Sequence, residues 1–166
     1  WQRAQAGLFL GMQYPTEVPG VSLHDALAAS FVSAGRSVEH LDELLKAEAE
    51  RIGLDEKFLE RPLNVDLSGG EKKRNETLQL GVLQPRFAVL DEIDSGLDVD
   101  ALRDVSRRIE TLTDEGLGVL VITHYKRLLE ELRPDVVHVL AKGRVVATGG
   151  PELVEELEDT GYAAYA

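Results

Sequence analysis

Two adjacent carboxylates follow an apolar run in the second half of the chain. Residues 87–90 (Phe-Ala-Val-Leu) predict a buried strand, and Asp91 and Glu92 come directly after it. Carboxylates beside a buried strand are costly unless a cation or another partner compensates them. Asp91 could hold Mg²⁺ through its water shell, and Glu92 could orient or deprotonate an attacking water. An acidic cap between strand and loop explains the same pair without any chemistry, so the pair alone leaves both interpretations open.

A glycine pair lies one predicted helix before these carboxylates, in the string Leu-Ser-Gly-Gly-Glu at residues 67–71. Glycines let the backbone approach an oxyanion closely, and a helix N-terminus with a serine hydroxyl supplies hydrogen-bond donors. Ser68 and Glu71 have the spacing of a capping box, which predicts a helix that begins at Ser68 and runs to Pro85. A capped helix after a flexible turn would account for Ser-Gly-Gly alone. The full string before an acidic strand end favours a phosphate site.

Short motifs occur along the chain in the order found in ABC ATPases. The Leu-Ser-Gly-Gly-Glu string resembles the signature motif, and the apolar run that ends in Asp-Glu resembles Walker B. Residues 95–98 (Ser-Gly-Leu-Asp) resemble the D-loop, and His124, after a second apolar strand, resembles the H-loop. Gln13, at the end of the first predicted strand, matches the Q-loop. The resemblance covers most of the chain.

This resemblance implies a mechanism in which two subunits enclose two ATP molecules with Mg²⁺ in a transient, head-to-tail homodimer. Glu92 and His124 would be catalytic, while Asp91 would bind Mg²⁺ and Gln13 would bind or sense it. Catalysis in such a site is mainly positioning and charge neutralisation of the phosphoryl group. The residues implied in nucleotide binding, or in communication with the nucleotide across the dimer, are Gln13, Ser68, Gly69, Gly70, Glu71 and Asp98.

The sequence departs from the family in one respect, because no G-x-x-x-x-G-K-[ST] phosphate-binding loop occurs in it. In ABC ATPases that P-loop and the first sheet strands precede the Q-loop. We therefore expect the sequence to be a fragment that begins at Trp1, lacks these elements, and neither binds ATP tightly nor hydrolyses it alone. We also expect that it does not fold stably alone, because the missing strands would expose sheet edge and core.

Details around the motifs resemble the SufC family, the ABC ATPases of the SUF iron–sulfur cluster assembly system. Residues 71–76 (Glu-Lys-Lys-Arg-Asn-Glu) differ from the glutamine-rich continuation of transporter signatures, and residues 93–96 (Ile-Asp-Ser-Gly) stand where transporters commonly read Pro-Thr-Ser-Ala. The resemblance implies that ATP-driven dimerisation rearranges a scaffold of SufB and SufD. The nucleotide-binding subunit of an ABC membrane transporter is the main alternative, and a truncated domain that only binds partners is a further one.

The resemblance also implies a docking region for the scaffold at about residues 13–35. Val18, Val21 and Phe31 are the apolar candidates for this contact. Packing in the core of the helical segment is the preferred interpretation for Phe31.

The basic residues that follow the signature glycines suggest a regulatory hypothesis. A resting pair between Lys73 and Glu92 could hold the catalytic carboxylate away from water. A solvated basic helix face explains Lys73 equally well.

The elements that must position these residues indicate an α/β fold. Short apolar strands that alternate with helices predict a mostly parallel sheet with an inserted helical subdomain. Ligands of such sheets lie beyond the carboxyl ends of the strands, where Asp91-Glu92 and His124 are expected. We expect residues 1–166 to be a partial P-loop NTPase-like ABC ATPase domain. In this domain, 14–84 would form the helical insert without strands, and 85–166 the sheet core with Walker B, D-loop and H-loop.

Composition excludes several classes of partner. The formal net charge of −12 argues against direct contact with nucleic acid or an anionic membrane. The chain contains no cysteine, so any iron–sulfur chemistry would take place on a partner. No apolar run approaches the roughly 20 residues that span a bilayer, so we expect no membrane insertion and a cytoplasmic location.

Overall fold

The computed structural model of the protein describes residues 1–124 and 126–161, with the backbone only for residues 126 and 158–160. The chain divides into two compact units, Trp1–His124 and Tyr125–Ala166.

The helices and strands of the first unit are, in chain order, α1 (Gln2–Gln5), β1 (Leu8–Gly11), β2 (Val18–Ser22), α2 (Leu23–Ser33), α3 (Leu41–Arg51), a 3₁₀ helix (Glu56–Phe58), β3 (Pro62–Leu63), α4 (Gly69–Leu83), β4 (Phe87–Asp91), α5 (Val99–Asp114) and β5 (Gly118–Ile122). Those of the second unit are α6 (Lys126–Glu131), β6 (Val137–Ala141), β7 (Arg144–Gly149) and α7 (Glu152–Thr160).

A parallel sheet with the strand order β1-β4-β5 lies in the first unit. Gly11 of β1 lies beside Leu90 of β4, and Asp91 lies beside Ile122 of β5, so the three strands end at one edge of the sheet. Parallel strands need a crossover between them, and the helices between these strands supply it. The predicted parallel sheet is therefore confirmed.

The two faces of this sheet differ in burial. Alternate residues of a strand point to opposite faces, and on β4 Ala88 and Leu90 are buried while Phe87 is 58% exposed. On the same face as Phe87, Leu10 and Leu120 are 57% and 54% exposed. One face of the sheet thus carries exposed apolar side chains. That the chain does not fold alone stays a prediction.

The helical segment between β1 and β4 has its own apolar core. Ser22 caps α2 through its Oγ, which accepts the Asp25 N–H at 3.0 Å. Phe31 is 2% exposed, so it packs in this core, as the preferred interpretation predicted. The buried apolar residues of the core are Leu23, Leu27, Phe31, Leu41, Leu45, Ala49, Ile52, Leu54, Phe58, Leu59, Leu67, Leu78 and Val82.

The expectation that residues 14–84 contain no strand is wrong. β2 pairs with β3 in a short antiparallel sheet, with Val18 beside Leu63 and Ser22 beside Pro62. Pro19 and Gly20 signal a turn in the sequence, yet proline is tolerated on edge strands such as this one. The two pairs join residues that are 45 and 40 positions apart, so no local pattern reveals the pairing. The division of the chain into an insert at 14–84 and a sheet core at 85–166 stays a prediction.

The second unit is built around a hairpin. β6 and β7 pair antiparallel, and the two residues between them, Lys142 and Gly143, both have positive φ, at 49° and 73°. Two residues with positive φ make the tight turn whose twist suits a hairpin. Over the described residues, no helix is long and apolar enough to cross a membrane.

Candidate functional site

The carboxylate pair lies at the edge where the parallel strands end. Asp91 is the last residue of β4, and the following Glu92 has a φ of 47°. A positive φ is uncommon outside glycine and marks a constrained position. The Glu92 N–H donates to the carbonyl oxygen of Ile122 at 2.8 Å, so β5 supports the turn. Glu92 is therefore held beyond the carboxyl ends of the strands, where the sequence placed it.

Three of the predicted site residues meet at the Glu92 carboxylate. Gln13 Nε2 donates to Glu92 Oε2 at 2.8 Å. His124 Nδ1 lies 3.1 Å from Glu92 Oε1. Each residue follows a different strand, because Gln13 comes after β1, Glu92 after β4 and His124 after β5. We call Gln13, Glu92 and His124 the strand-end cluster.

The surroundings of the strand-end cluster are partly open to solvent. The side chain of Glu92 is 21% exposed and that of His124 is 56% exposed. A reacting water or phosphate can therefore reach the Glu92 carboxylate and the His124 imidazole. Such an arrangement suits proton transfer or the orientation of a water molecule.

The donors around Asp91 fit Mg²⁺ better than a transition metal. Among the described residues, no group of three His, Cys, Asp or Glu could hold a metal ion by itself. Mg²⁺ does not need such a cage, because proteins usually bind it through one or two oxygen ligands together with substrate phosphates. The carboxylates of Asp91 and Glu92 and the amide oxygen of Gln13 supply oxygen ligands at this edge, so these residues fit the predicted cation.

The signature motif at residues 67–71, which we call the signature turn, has the geometry that its sequence predicts. Ser68 caps α4, with its Oγ accepting the Glu71 N–H at 3.3 Å, and Glu71 Oε2 accepts the Ser68 N–H at 2.7 Å. These hydrogen bonds with Ser68 lower the pKa of the Glu71 carboxyl. The predicted capping box is confirmed, and α4 ends at Leu83, two residues before Pro85. The Glu71 side chain is thus part of the cap.

The signature turn packs against the D-loop of the same chain. A Cβ on Gly70 would lie 3.0 Å from the carbonyl oxygen of Gly96, so a side chain at position 70 would press on this backbone. Gly96 itself has a φ of +77°, which favours glycine. Asp98, two residues later, caps α5 by accepting the Ala101 N–H at 2.8 Å. The predicted nucleotide-binding residues thus fall into two sets, the strand-end cluster and this turn with its D-loop neighbour.

Lys73 has partners that the sequence did not predict. Its side chain is 3% exposed, and Nζ lies 3.3 Å from Glu76 Oε2 and 3.3 Å from the carbonyl oxygen of Asp91. Neither the hypothesised pair with Glu92 nor a solvated basic face describes this environment, so both interpretations are wrong. The side chain of Lys73 points from α4 into the first unit, where Glu76, one turn along α4, neutralises it.

Glu76 was also missed by sequence reasoning. Its Oε1 accepts the Met12 N–H at 2.8 Å, and Lys73 donates to the carbonyl oxygen of the same residue. Burial raises the pKa of the Glu76 carboxyl, while Lys73 and the Met12 N–H act in the opposite direction. The available signal was a Lys-x-x-Glu pair on a predicted helix, which usually describes a solvated surface.

A second unpredicted contact joins the residue before the D-loop, Asp94, to the residue before the H-loop, Thr123. Thr123 Oγ1 donates to Asp94 Oδ2 at 2.9 Å, and Asp94 is buried. Thr123 directly precedes His124, so this bond fixes the main chain next to the strand-end cluster.

Proteins with similar sequences match almost the whole chain. It is 48% identical to Vegetative protein 296 of Bacillus subtilis (strain 168), a match that covers 97% of this chain and 64% of the relative. It is 46% identical to a probable ABC transporter ATP-binding protein of Streptococcus pyogenes serotype M3, over 99% of this chain and 66% of the relative. It is 44% identical to the probable ATP-dependent transporter ycf16 of Pyropia yezoensis, over 97% of this chain and 67% of the relative. The chain belongs to the ABC ATPase family.

The fold agrees with this family. The structure of the ATP binding subunit of an ABC transporter superposes with a TM-score of 0.77 at 22% identity, over 94% of this chain and 64% of that one. The predicted α/β fold class of an ABC ATPase is therefore confirmed. No family model matches the chain. The chain spans 64% to 67% of the length of these relatives, so the activity and partners of the whole protein are matters for proposal.

Proposed function

We propose that the protein is the ATP-hydrolysing subunit of a SUF-type iron–sulfur cluster assembly system, in which it drives rearrangement of a SufB–SufD scaffold in the cytoplasm. The convergence of Gln13 and His124 on the Glu92 carboxylate carries the ATPase part of this proposal. The SufC-like sequence at residues 71–76 and 93–96 supports the assembly part.

In this proposal Glu92 orients or deprotonates the attacking water, and His124 contacts the γ-phosphate. Both oxygens of the Glu92 carboxylate already have a partner, Gln13 on one and His124 on the other. Nucleotide binding would therefore exchange these contacts for contacts with phosphate and water. Asp91 and the amide oxygen of Gln13 would hold Mg²⁺, which would neutralise charge on the phosphates.

The signature turn would bind the γ-phosphate of ATP held by a second subunit in a transient homodimer. Ser68, Gly69 and Gly70 lie at the N-terminus of α4, where the Gly69 and Gly70 N–H groups have no partner within the helix and the helix dipole favours an anion. Glu71 would hold the shape of this turn through the capping box. Asp98 would communicate across the dimer from the start of α5.

The docking surface for the scaffold would lie at residues 13–35, within the proposed helical insert at 14–84. Val21 is 37% exposed, which makes it the best of the three apolar candidates, whereas Phe31 belongs to the core. The chain contains no cysteine, so the cluster would be assembled on the scaffold.

The nucleotide-binding subunit of a membrane transporter is the second candidate. The names of two relatives favour it, since one is a probable ABC transporter ATP-binding protein of Streptococcus pyogenes and the other a probable ATP-dependent transporter of Pyropia yezoensis.

Co-purification of the full-length protein decides between these functions. We expect it to form a complex with co-expressed SufB and SufD, and the complex to hydrolyse ATP faster than the isolated subunit. Val21→Asp should weaken this complex, because it places a charge in the proposed contact. Val38→Asp is the matched control, since Val38 is 44% exposed and lies outside residues 13–35. Recovery of a membrane permease in place of SufB and SufD would support the transporter and contradict the assembly function.

A further inference from the structure

We propose that Lys73 and Glu76 are positioning residues that hold Gln13 and Glu92 in the geometry required for hydrolysis. This inference rests on the proposed ATPase function and deepens it, because it assigns two further residues to the same site. Neither residue is expected to touch the nucleotide or the reacting water.

The pair binds both main-chain groups of Met12. Glu76 Oε1 accepts the Met12 N–H at 2.8 Å, and Lys73 Nζ donates to the Met12 carbonyl oxygen. Met12 directly precedes Gln13, so the pair fixes the backbone from which the Gln13 side chain reaches Glu92. β1 ends at Gly11, so Met12 is no longer held by strand pairing, and the ion pair takes over where the sheet hydrogen bonds stop.

The Lys73 ammonium group also contacts the main chain next to Glu92, the acceptor of the Gln13–Glu92 hydrogen bond. Lys73 Nζ lies 3.3 Å from the carbonyl oxygen of Asp91, which directly precedes Glu92. One buried cation thus contacts the main chain immediately before both members of that bond. A shift of Lys73 would move the two side chains relative to each other, and catalysis is sensitive to misplacement of this kind.

Packing alone does not account for this pair. Lys73 is 2% exposed and Glu76 is 5% exposed, and buried ion pairs often contribute no more stability than apolar side chains of similar size. The first unit contains a second buried ion pair, between Glu48 and Arg108. That pair joins α3 to α5 and, among the described residues, makes no hydrogen bond with Met12 or Asp91, so it serves as an internal comparison.

The test replaces each pair by apolar residues in the full-length protein. Lys73→Met/Glu76→Leu removes both charges together, which avoids leaving one of them buried and unpaired. We expect kcat for ATP hydrolysis to fall by about 10-fold to 100-fold, with KM for ATP within about twofold, because the residues that bind the nucleotide are not altered. Glu48→Leu/Arg108→Met should leave kcat within about twofold of the wild type. A kcat within twofold of the wild type in Lys73→Met/Glu76→Leu would overturn the proposal.

Hydrogen exchange of the Met12 amide gives a measurement that does not depend on activity. The amide should exchange at least about 10-fold faster in Lys73→Met/Glu76→Leu and at the wild-type rate in Glu48→Leu/Arg108→Met. Unchanged exchange in the first variant would overturn the proposal even if kcat fell. If the wild-type protein did not hydrolyse ATP, the proposed function would fail, and Met12 exchange would still decide whether the pair holds this segment.

Discussion

The signature turn and the strand-end cluster are held in place in different ways. The turn depends on residues three positions apart, since Ser68 and Glu71 cap α4 through reciprocal hydrogen bonds. The strand-end cluster depends on residues far apart in sequence, since the bond from Gln13 to Glu92 spans 79 positions.

This difference separates two kinds of preorganisation. The signature turn can form its cap as soon as α4 forms, so its shape is a property of a short segment. The strand-end cluster forms only when β1, β4 and β5 have paired. A shift in that pairing would change the distances between its three side chains. We therefore expect substitutions in the cluster to change activity at nearly constant stability, and substitutions in the cap to change stability first.

The largest effect is expected from Glu92→Gln in the full-length protein. This change keeps the shape of the side chain but removes the group proposed to activate water, so kcat should fall about 100-fold to 10,000-fold. Equilibrium binding of ATP should persist. The matched control is Glu115→Gln, at the exposed end of α5, which should hydrolyse ATP at the wild-type rate. Normal turnover by Glu92→Gln would remove the strand-end cluster from the mechanism.

A smaller loss is expected from His124→Ala. The imidazole is proposed to donate to the γ-phosphate, and loss of one such donor lowers kcat by roughly 100-fold. The temperature of thermal unfolding should change little, because the side chain is 56% exposed. A large drop in unfolding temperature with unchanged kcat would contradict the expectation that the strand-end cluster contributes to activity more than to stability.

The cap is tested by Ser68→Ala. Loss of the side-chain acceptor should lower the free energy of unfolding by about 1 kcal/mol, measured by urea denaturation. Ser22→Ala is the control, because the Ser22 Oγ also accepts an N–H from the residue three positions later, at the start of α2. Both variants should lose similar stability, and only Ser68→Ala should weaken ATP hydrolysis. Equal activity in the two variants would show that the Ser68 hydroxyl serves the helix alone.

The smallest effect is a pH dependence that comes from Glu71. Its pKa is lowered in the folded state by the hydrogen bonds with Ser68, so its ionised form stabilises the fold above the ordinary glutamate pKa. This contribution should be lost as the pH falls through the lowered pKa of the folded state. Glu71→Gln should therefore differ from the wild type in unfolding free energy at neutral pH, and the difference should shrink in acid. A difference that is independent of pH would contradict the capping contribution of the charge.

Much of the fold follows from short-range patterns. The alternation of apolar strands and helices predicted the parallel sheet. The helical segment was predicted less completely, because the pairing of β2 with β3 joins residues that look like turns and connectors in isolation.

The sequence predicted which residues belong to the candidate site, but few of the contacts between them. Motif order identified Gln13, Glu92 and His124, and the strand-end rule placed Glu92 and His124 at one edge of the sheet. The contacts of Gln13 and His124 with the Glu92 carboxylate could be known only from the structure. Lys73 shows the limit of the approach, since its place after the glycines suggested a pair with Glu92, while it is bound to Glu76 and to two main-chain carbonyl groups.

The sequence by itself determined where α4 begins, where the strands end in carboxylates, and to which family the motif order belongs. The first two properties depend on residues within one or two turns of each other, and the third depends on the order of motifs that are each a short segment. The tertiary structure alone decided that Lys73 and Glu76 turn inward to hold Met12, a contact across 64 positions between Glu76 and Met12. A buried charged side chain is stable only where partners compensate its charge. For Lys73 and Glu76 those partners come together only when the strands and α4 have packed.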